Sequence, residues 1–172
     1  ILSVEPGKLL SLLKEREERL RNILPELKKL KDTKFYTPHE VQYFKGKQGL
    51  KSIFDDILNE GSDYLGWGPE RKIESLLKYY FIHYINARRK RKIHAKLIYF
   101  EDSRGANYTK NPLIQVKYLP RLFYLTTAHR IYGDKVAIIL LEDDPLCILI
   151  KNKKIADSYR NQFNILWKIA KK

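Results

Sequence analysis

The segment 127–143 contains residue types that catalysis uses. His129 lies just upstream of a tight turn at 132–135, which holds Asp134, and an apolar strand is predicted at 136–141. An imidazole near a carboxylate can act as a nucleophile or as a general base. The alternative is that this segment keeps the outline of a catalytic strand whose reactive groups have been lost.

A second candidate site surrounds Trp67, which lies between two glycines. Glycines let the backbone approach a ligand closely, and pockets in α/β sheets form at strand ends. The sequence therefore predicts an effector pocket, with packing of Trp67 in the core as the alternative. The candidate pocket residues are Gly66, Trp67, Gly68, His129 and Tyr132.

Five consecutive cations lie at the C-terminal end of a long predicted helix, namely Arg88, Arg89, Lys90, Arg91 and Lys92. Cations at this end of a helix satisfy its free carbonyl groups and its dipole. Alternatively, they contact the phosphates of DNA, which positions a protein without reading base sequence. The 34 Lys and Arg residues outnumber the 20 Asp and Glu residues, and the net charge of +14 favours an anionic partner such as nucleic acid.

No metal site and no cofactor is predicted. His39, His83 and His94 show no ligand spacing with one another or with Cys147. Cys147 lies in an apolar run, where a buried thiol is expected, and a lone cysteine indicates a reducing, cytoplasmic compartment. The apolar runs are shorter than the roughly 18 residues that a membrane span needs, so no membrane partner is predicted.

Alternating strands and helices must position these residues. Apolar periodicity predicts strands at 41–44, 64–67, 93–100, 113–118, 127–132, 136–141 and 146–150, and helices at 49–59, 70–91 and 152–167. The segment 102–112 is predicted to be a loop or a short irregular helix. Asn152 is predicted to cap the last helix. The order of these elements predicts an α/β fold with a sheet of mixed direction, flanked by helices.

The first 32 residues form a separate predicted helix that begins near Pro6. Its apolar residues follow the a/d spacing of a two-stranded coiled coil, with Arg16 as a polar break. Pro25 predicts a kink near 21–24. We expect this helix to dimerise, and packing on its own domain is the alternative. The predicted dimer contacts are Leu9, Leu13, Leu20, Ile23, Leu27 and Leu30.

The sequence contains no methionine. We therefore expect that a segment preceding Ile1 is missing.

Several stretches, taken in order, resemble the effector half of archaeal TrmB-like transcription regulators. They are the heptad arm, VQYFKGKQGLKSIFDDIL, DYLGWG, RRKRKIHAKLIYF, IYGDKVAIIL and IADSYRNQFNILWK. The resemblance covers nearly the whole chain. It implies a coiled-coil helix at 1–32, a phospholipase-D-like effector domain at 33–172, and a winged helix-turn-helix DNA reader before the arm.

Phospholipase D chemistry needs a His nucleophile, a Lys two residues later, an Asp further along and a following Gly-Ser-x-Asn. In the two possible registers the His and Lys positions hold Thr126 and Ala128, or Thr127 and His129. In both registers, residues 140–143 occupy the place of the Gly-Ser-x-Asn motif and do not match it. The sequence therefore predicts that the chain is not an enzyme, and that His129 makes a structural hydrogen bond in a strand.

Together these features predict the dimerisation and effector-sensing region of a DNA-binding transcription regulator. Its expected partners are a second copy through the N-terminal helix, DNA mainly through the missing domain, and a small-molecule effector that is a sugar or an anionic metabolite. The alternative is a divergent phosphodiesterase or nuclease of the same fold.

Overall fold

The structure, a computed structural model, describes residues 6–32, 40–120 and 125–172. The chain separates into two compact units, 1–37 and 38–172. The first contains helix α1 (Pro6–Asp32), which continues through Pro25. Its pairing as a coiled coil stays a prediction.

Exposed apolar side chains and local ion pairs characterise α1. Leu13 and Leu20 are each 63% exposed, and Ile23 is 48% exposed. The side chains of Leu9, Leu27 and Leu30 lie outside the described residues. Ion pairs one helical turn apart, such as Arg21 with Glu17 at 2.8 Å, support an isolated helix modestly.

The second unit is built from seven strands and four helices in the part of the chain that the structure describes. The strands are β1 (Glu40–Lys45), β2 (Tyr64–Trp67), β3 (Ala95–Phe100), β4 (Ile114–Leu119), β5 (Thr127–Tyr132), β6 (Lys135–Leu140) and β7 (Leu146–Lys151). The helices are α2 (Gly46–Glu60), α3 (Glu70–Leu77), α4 (Tyr79–Lys90) and α5 (Lys153–Ile169). Short 3-10 helices lie at Glu101–Ser103 and Asn107–Lys110, within and beside the segment that was predicted to be a loop or a short irregular helix.

All seven strands form one sheet in the order β1-β7-β6-β5-β2-β3-β4. Strands β2, β3 and β4 are parallel to one another, and every other neighbouring pair is antiparallel. The predicted α/β fold with a mixed sheet is therefore confirmed. Strand β1 forms one edge, where Val41 and Tyr43 are 63% and 58% exposed.

Helices cover both faces of the sheet, and each face has its own apolar cluster. Helices α2, α3 and α4 bury residues such as Phe54, Ile73 and Phe81 against one face. Helix α5 buries Ala156 and Phe163 against the other. Asn152 caps α5 as predicted, because its Oδ1 accepts a hydrogen bond from the Ile155 N–H at 3.0 Å.

The predicted single helix 70–91 is wrong, because the chain breaks at Lys78 into α3 and α4. Lys78 has a φ of 43°, a value that residues with a side chain rarely adopt. Its N–H still donates to Glu74 O at 2.8 Å, which completes α3. The apolar spacing continues across the break, so periodicity alone gives no sign of it.

None of the helices within the described ranges is both long enough and apolar enough to cross a membrane.

Candidate functional site

The two glycines beside Trp67 serve the contact between β2 and β5. A Cβ atom at Gly66 would lie 2.8 Å from His129 O, and one at Gly68 would lie 2.6 Å from the Ala128 Cα. Gly68 also has a φ of 132°. These glycines therefore allow the close approach of β5. The sequence analysis predicted instead that they allow the approach of a ligand.

Trp67 lies opposite His129 in the register of β2 and β5. The two rings stack with their centroids 4.4 Å apart and their planes 14° apart. Tyr159 and Phe163 of α5 pack around the indole at centroid distances of 6.2 and 6.3 Å. Trp67 is only 5% exposed, so side chains occupy the space predicted for an effector.

Tyr132 lies on the other face of the sheet from His129. It is 1% exposed, and its hydroxyl donates to Asp56 Oδ2 at 2.8 Å. Lys135 Nζ also binds Asp56, at 2.9 Å, and lies 3.1 Å from Glu60 Oε2. The structure therefore does not bring the five pocket candidates together, which corrects that prediction. Strand alternation was the available signal, because residues three apart point to opposite faces.

The imidazole of His129 is held in its neutral form. Burial, together with the nearby Arg130 charge, lowers the pKa of His129 to about 4. Its Nδ1 is buried and has no hydrogen-bond partner among the described residues, so the predicted structural hydrogen bond is not made at this atom. Ring stacking holds the side chain instead. A neutral imidazole with a free ring nitrogen has the protonation state of a nucleophile.

No group of three or more potential metal ligands occurs among the described residues. Cys147 is fully buried, as predicted, and burial raises the pKa of its thiol to about 12. This thiol is therefore unreactive at neutral pH.

Three charged side chains are buried beneath α3 and α4. Glu70, Arg88 and Arg130 are 3%, 1% and 0% exposed. Arg130 Nη2 donates to Glu70 Oε2, and Arg130 Nη1 donates to His129 O at 2.8 Å. Burial raises the pKa of Glu70, and the Arg130 charge opposes that effect. The ion pair of Glu70 and Arg130 connects α3 to β5 on the face of the sheet that α3 and α4 cover, so its role is structural.

The basic run at 88–92, whose alternative role was phosphate contact, divides into three parts. Arg88 is buried over the Tyr64 ring, with its guanidinium carbon 5.9 Å from the centroid, so it cannot reach DNA. The sequence does indicate this burial, because Arg88 lies at helical spacing from Phe81 and Tyr84, which are also buried. Arg91 donates to Leu58 O at the end of α2.

The other three cations of the run face solvent. Arg89, Lys90 and Lys92 are exposed, and no carboxylate forms an ion pair with them within residues 6–32, 40–120 and 125–172. They remain available to bind phosphate.

No protein-family model and no curated protein matches the sequence. Solved structures do match. TrmBL2, an archaeal chromatin protein with a novel mode of DNA binding, is 16% identical with a TM-score of 0.57, over 98% of this chain and 71% of TrmBL2. NucT from Helicobacter pylori is 10% identical with a TM-score of 0.56, over 77% of this chain and 98% of NucT.

Nuc from Salmonella typhimurium, a phospholipase D family member, is 13% identical with a TM-score of 0.55, over 77% of this chain and 97% of Nuc. These likenesses establish the fold, so the predicted phospholipase-D-like α/β fold is confirmed. They also contradict the prediction that the chain is not an enzyme, because the fold is shared with a phospholipase D family member as well as with a DNA-binding protein.

Proposed function

We propose that the chain is a nucleic-acid-binding domain of a DNA-associated regulator of the TrmB-like kind, built on a phospholipase-D-like fold. One observation carries the proposal. The likeness to TrmBL2, which binds DNA, extends over 98% of the chain and so over both units, whereas the likeness to NucT and Nuc extends over 77%.

The charge of the chain supports the same function. The net charge is +14, and the exposed end of α4 presents Arg89, Lys90 and Lys92 without carboxylate partners among the described residues. Clustered cations bind the phosphate backbone of DNA and displace its counterions. Contacts of this kind position a protein on the duplex and carry no base specificity.

The test is the salt dependence of binding to a fluorescein-labelled DNA duplex of mixed sequence, followed by fluorescence anisotropy. Each phosphate contact adds about 0.9 to the slope of log affinity against log salt concentration. The double variant Lys90→Gln/Lys92→Gln is expected to lower this slope by about 2.

The control Lys154→Gln/Lys168→Gln removes two exposed lysines from α5. It is expected to change the slope by much less. Equal losses in the two double variants would mean that the end of α4 is not the DNA contact.

We also propose that the protein forms a homodimer through α1. The described apolar residues of its predicted seam, Leu13, Leu20 and Ile23, are about half exposed or more in a single chain. Burial of such a stripe against a second copy removes this apolar surface from water. Leu13→Glu combined with Leu20→Glu is expected to halve the mass measured by light scattering. Glu18→Lys, an exposed change away from the seam, should leave a dimer, and a dimer that survives the double change would place the interface elsewhere.

Phosphodiester hydrolysis at His129 is the second candidate function. One observation favours it, namely the fold shared with a phospholipase D family member. Turnover of bis(p-nitrophenyl) phosphate by the wild type, abolished in His129→Asn with the fold retained by circular dichroism, would support it. Turnover that persists in His129→Asn would exclude His129 as the nucleophile, and no turnover in the wild type would exclude this candidate.

A further inference from the structure

A groove of about 720 Å³ runs along the outer side of α4, between this helix and the segment 108–112. We call it the α4 groove. The side chains that line it and bear on its chemistry are Glu74, Lys78, Tyr79, Arg89, Lys110 and Asn111. It lies on the side of the sheet covered by α2, α3 and α4, whereas His129 lies on the α5 side.

The α4 groove is positively charged. Lys78, Arg89 and Lys110 line it with a single carboxylate, Glu74. In the part of the chain that the structure describes, none of the three cations forms an ion pair, and all three are exposed. Lys78 and Arg89 are eleven positions apart along α4, which corresponds to about 16 Å at the helical rise. Charges spread over this length fit a chain of phosphates better than a single one.

The start of α4 adds to the positive potential. Lys78 precedes the helix with a φ of 43°, and no side chain caps the first N–H groups. The first turn also contains no acidic residue. The positive end of the α4 dipole therefore lies at this end of the groove, beside Glu74 and the C-terminal end of α3.

An exposed aromatic ring lies at the same end of the groove. Tyr79 is 80% exposed and is adjacent to Lys78, and Ile82, one turn later, is 58% exposed. Unpaired bases stack on such rings, with a gain in affinity that depends little on sequence. In a duplex the bases are stacked on one another inside the helix, so a ring at the surface offers a duplex much less.

The floor of the groove contains an amide with an unused donor. Asn111 Oδ1 accepts a hydrogen bond from the Leu113 N–H at 3.0 Å, which fixes the orientation of the amide. Its Nδ2 is buried and has no acceptor among the described residues. Buried donors of this kind are normally satisfied, so an unsatisfied one beside the groove is unusual.

We propose that the α4 groove binds single-stranded nucleic acid, with Lys78, Arg89 and Lys110 on phosphates of one strand and a base stacked on Tyr79. The inference rests on the proposed nucleic-acid-binding function, and it adds a preference for unpaired strands and contacts at Lys78, Tyr79 and Lys110 beyond the cations at the end of α4. None of these groove contacts was identified in the sequence apart from Arg89. The break at Lys78, which brings Lys78 and Tyr79 to the groove, has no sequence signal.

The experiment measures the anisotropy of fluorescein-labelled oligothymidylate and of a labelled duplex of mixed sequence with the wild type and with Tyr79→Ala. Tyr79→Ala is expected to weaken oligothymidylate binding by about 5- to 150-fold, the loss expected for one stacked base. Duplex binding should change by less than about twofold, because the cations remain. Tyr79→Phe keeps the ring and should retain the wild-type affinity.

Matched controls separate stacking and charge from general effects. Tyr43→Ala removes another exposed tyrosine, on β1, and should leave oligothymidylate binding unchanged. Lys110→Gln should lower the salt slope for oligothymidylate by about 0.7, the value for one phosphate contact of a single strand. Lys154→Gln should leave this salt slope unchanged.

The outcomes are distinct. If Tyr79→Ala leaves oligothymidylate binding unchanged, or weakens it as much as duplex binding, the proposal that the α4 groove binds single strands is wrong. Duplex binding that depends on Lys90 and Lys92, with no binding of oligothymidylate, overturns the groove and leaves the proposed function standing. Oligothymidylate binding that depends on Tyr79, without duplex binding, supports the groove and overturns the duplex contact. A wild type that binds neither probe overturns both.

Discussion

A change of pH between 7 and 4 tests the buried environment of His129. The pKa of His129 is lowered to about 4 by burial and by the Arg130 charge, whereas the ordinary value is 6.5. Because the unfolded chain takes up the proton first, the stability contributed by the neutral imidazole is fully present above pH 6.5, is lost progressively as the pH falls from 6.5 to 4, and changes little below that. Linkage between these two pKa values gives a loss of about 2 kcal/mol by pH 5 and about 3 kcal/mol by pH 4.

The assay is urea unfolding of the wild type and of His129→Phe, followed by tryptophan fluorescence at several pH values. The phenyl ring can still stack on Trp67 but does not titrate, so the wild type should lose about 2 kcal/mol more than the variant between pH 7 and pH 5. Carboxylates titrate alike in both proteins and cancel in the difference. His83→Gln changes an exposed histidine and should reproduce the wild-type profile. If the free energy of unfolding falls with pH to the same extent in the wild type and in His129→Phe, the imidazole of His129 is not held buried and neutral.

Two further predictions concern the contacts around β5. Gly68→Ala should destabilise the fold by about 1–3 kcal/mol or more in urea unfolding, through overpacking against the Ala128 Cα at 2.6 Å together with backbone strain at a φ of 132°. Gly61→Ala has open space around its Cβ and a φ of 68°, so it should lose only the smaller free energy of unfolding that the backbone conformation costs. An equal loss in the two variants would mean that the close contact with Ala128 contributes nothing. Glu70→Gln should cost about 3–5 kcal/mol in the same assay, because it leaves the Arg130 charge buried and unpaired, whereas the exposed change Glu74→Gln should cost little. A near-neutral Glu70→Gln would mean that Arg130 finds another partner.

Local signals account for the elements that the sequence predicted well. Strands β5, β6 and β7 follow one another through short turns, one of which contains Gly133 at a φ of 48°. Such turn residues determine both where strands end and which strands pair. The cap at Asn152 is a similar local signal.

Contacts between distant segments explain what the sequence did not predict. The pairing of Trp67 with His129 joins residues more than sixty positions apart, and only the register of β2 against β5 brings them together. The break at Lys78 places a lysine at a backbone angle for which glycine is the usual residue. Both α3 and α4 also contact α2, which lies earlier in the chain. The α4 groove depends on that break and on the segment 108–112, so its lining could not be predicted either.

The topology of the sheet also imposes an order on its synthesis. Among the described strands β1 pairs only with β7, from Glu40 opposite Lys151 to Lys45 opposite Leu146. At about 5–20 residues per second, roughly 5–20 seconds separate the emergence of these two strands from the ribosome. Throughout that interval Val41 and Tyr43 belong to a strand that has no partner in its own chain. A translation product that stops before β7 therefore retains an open strand that can pair with another polypeptide.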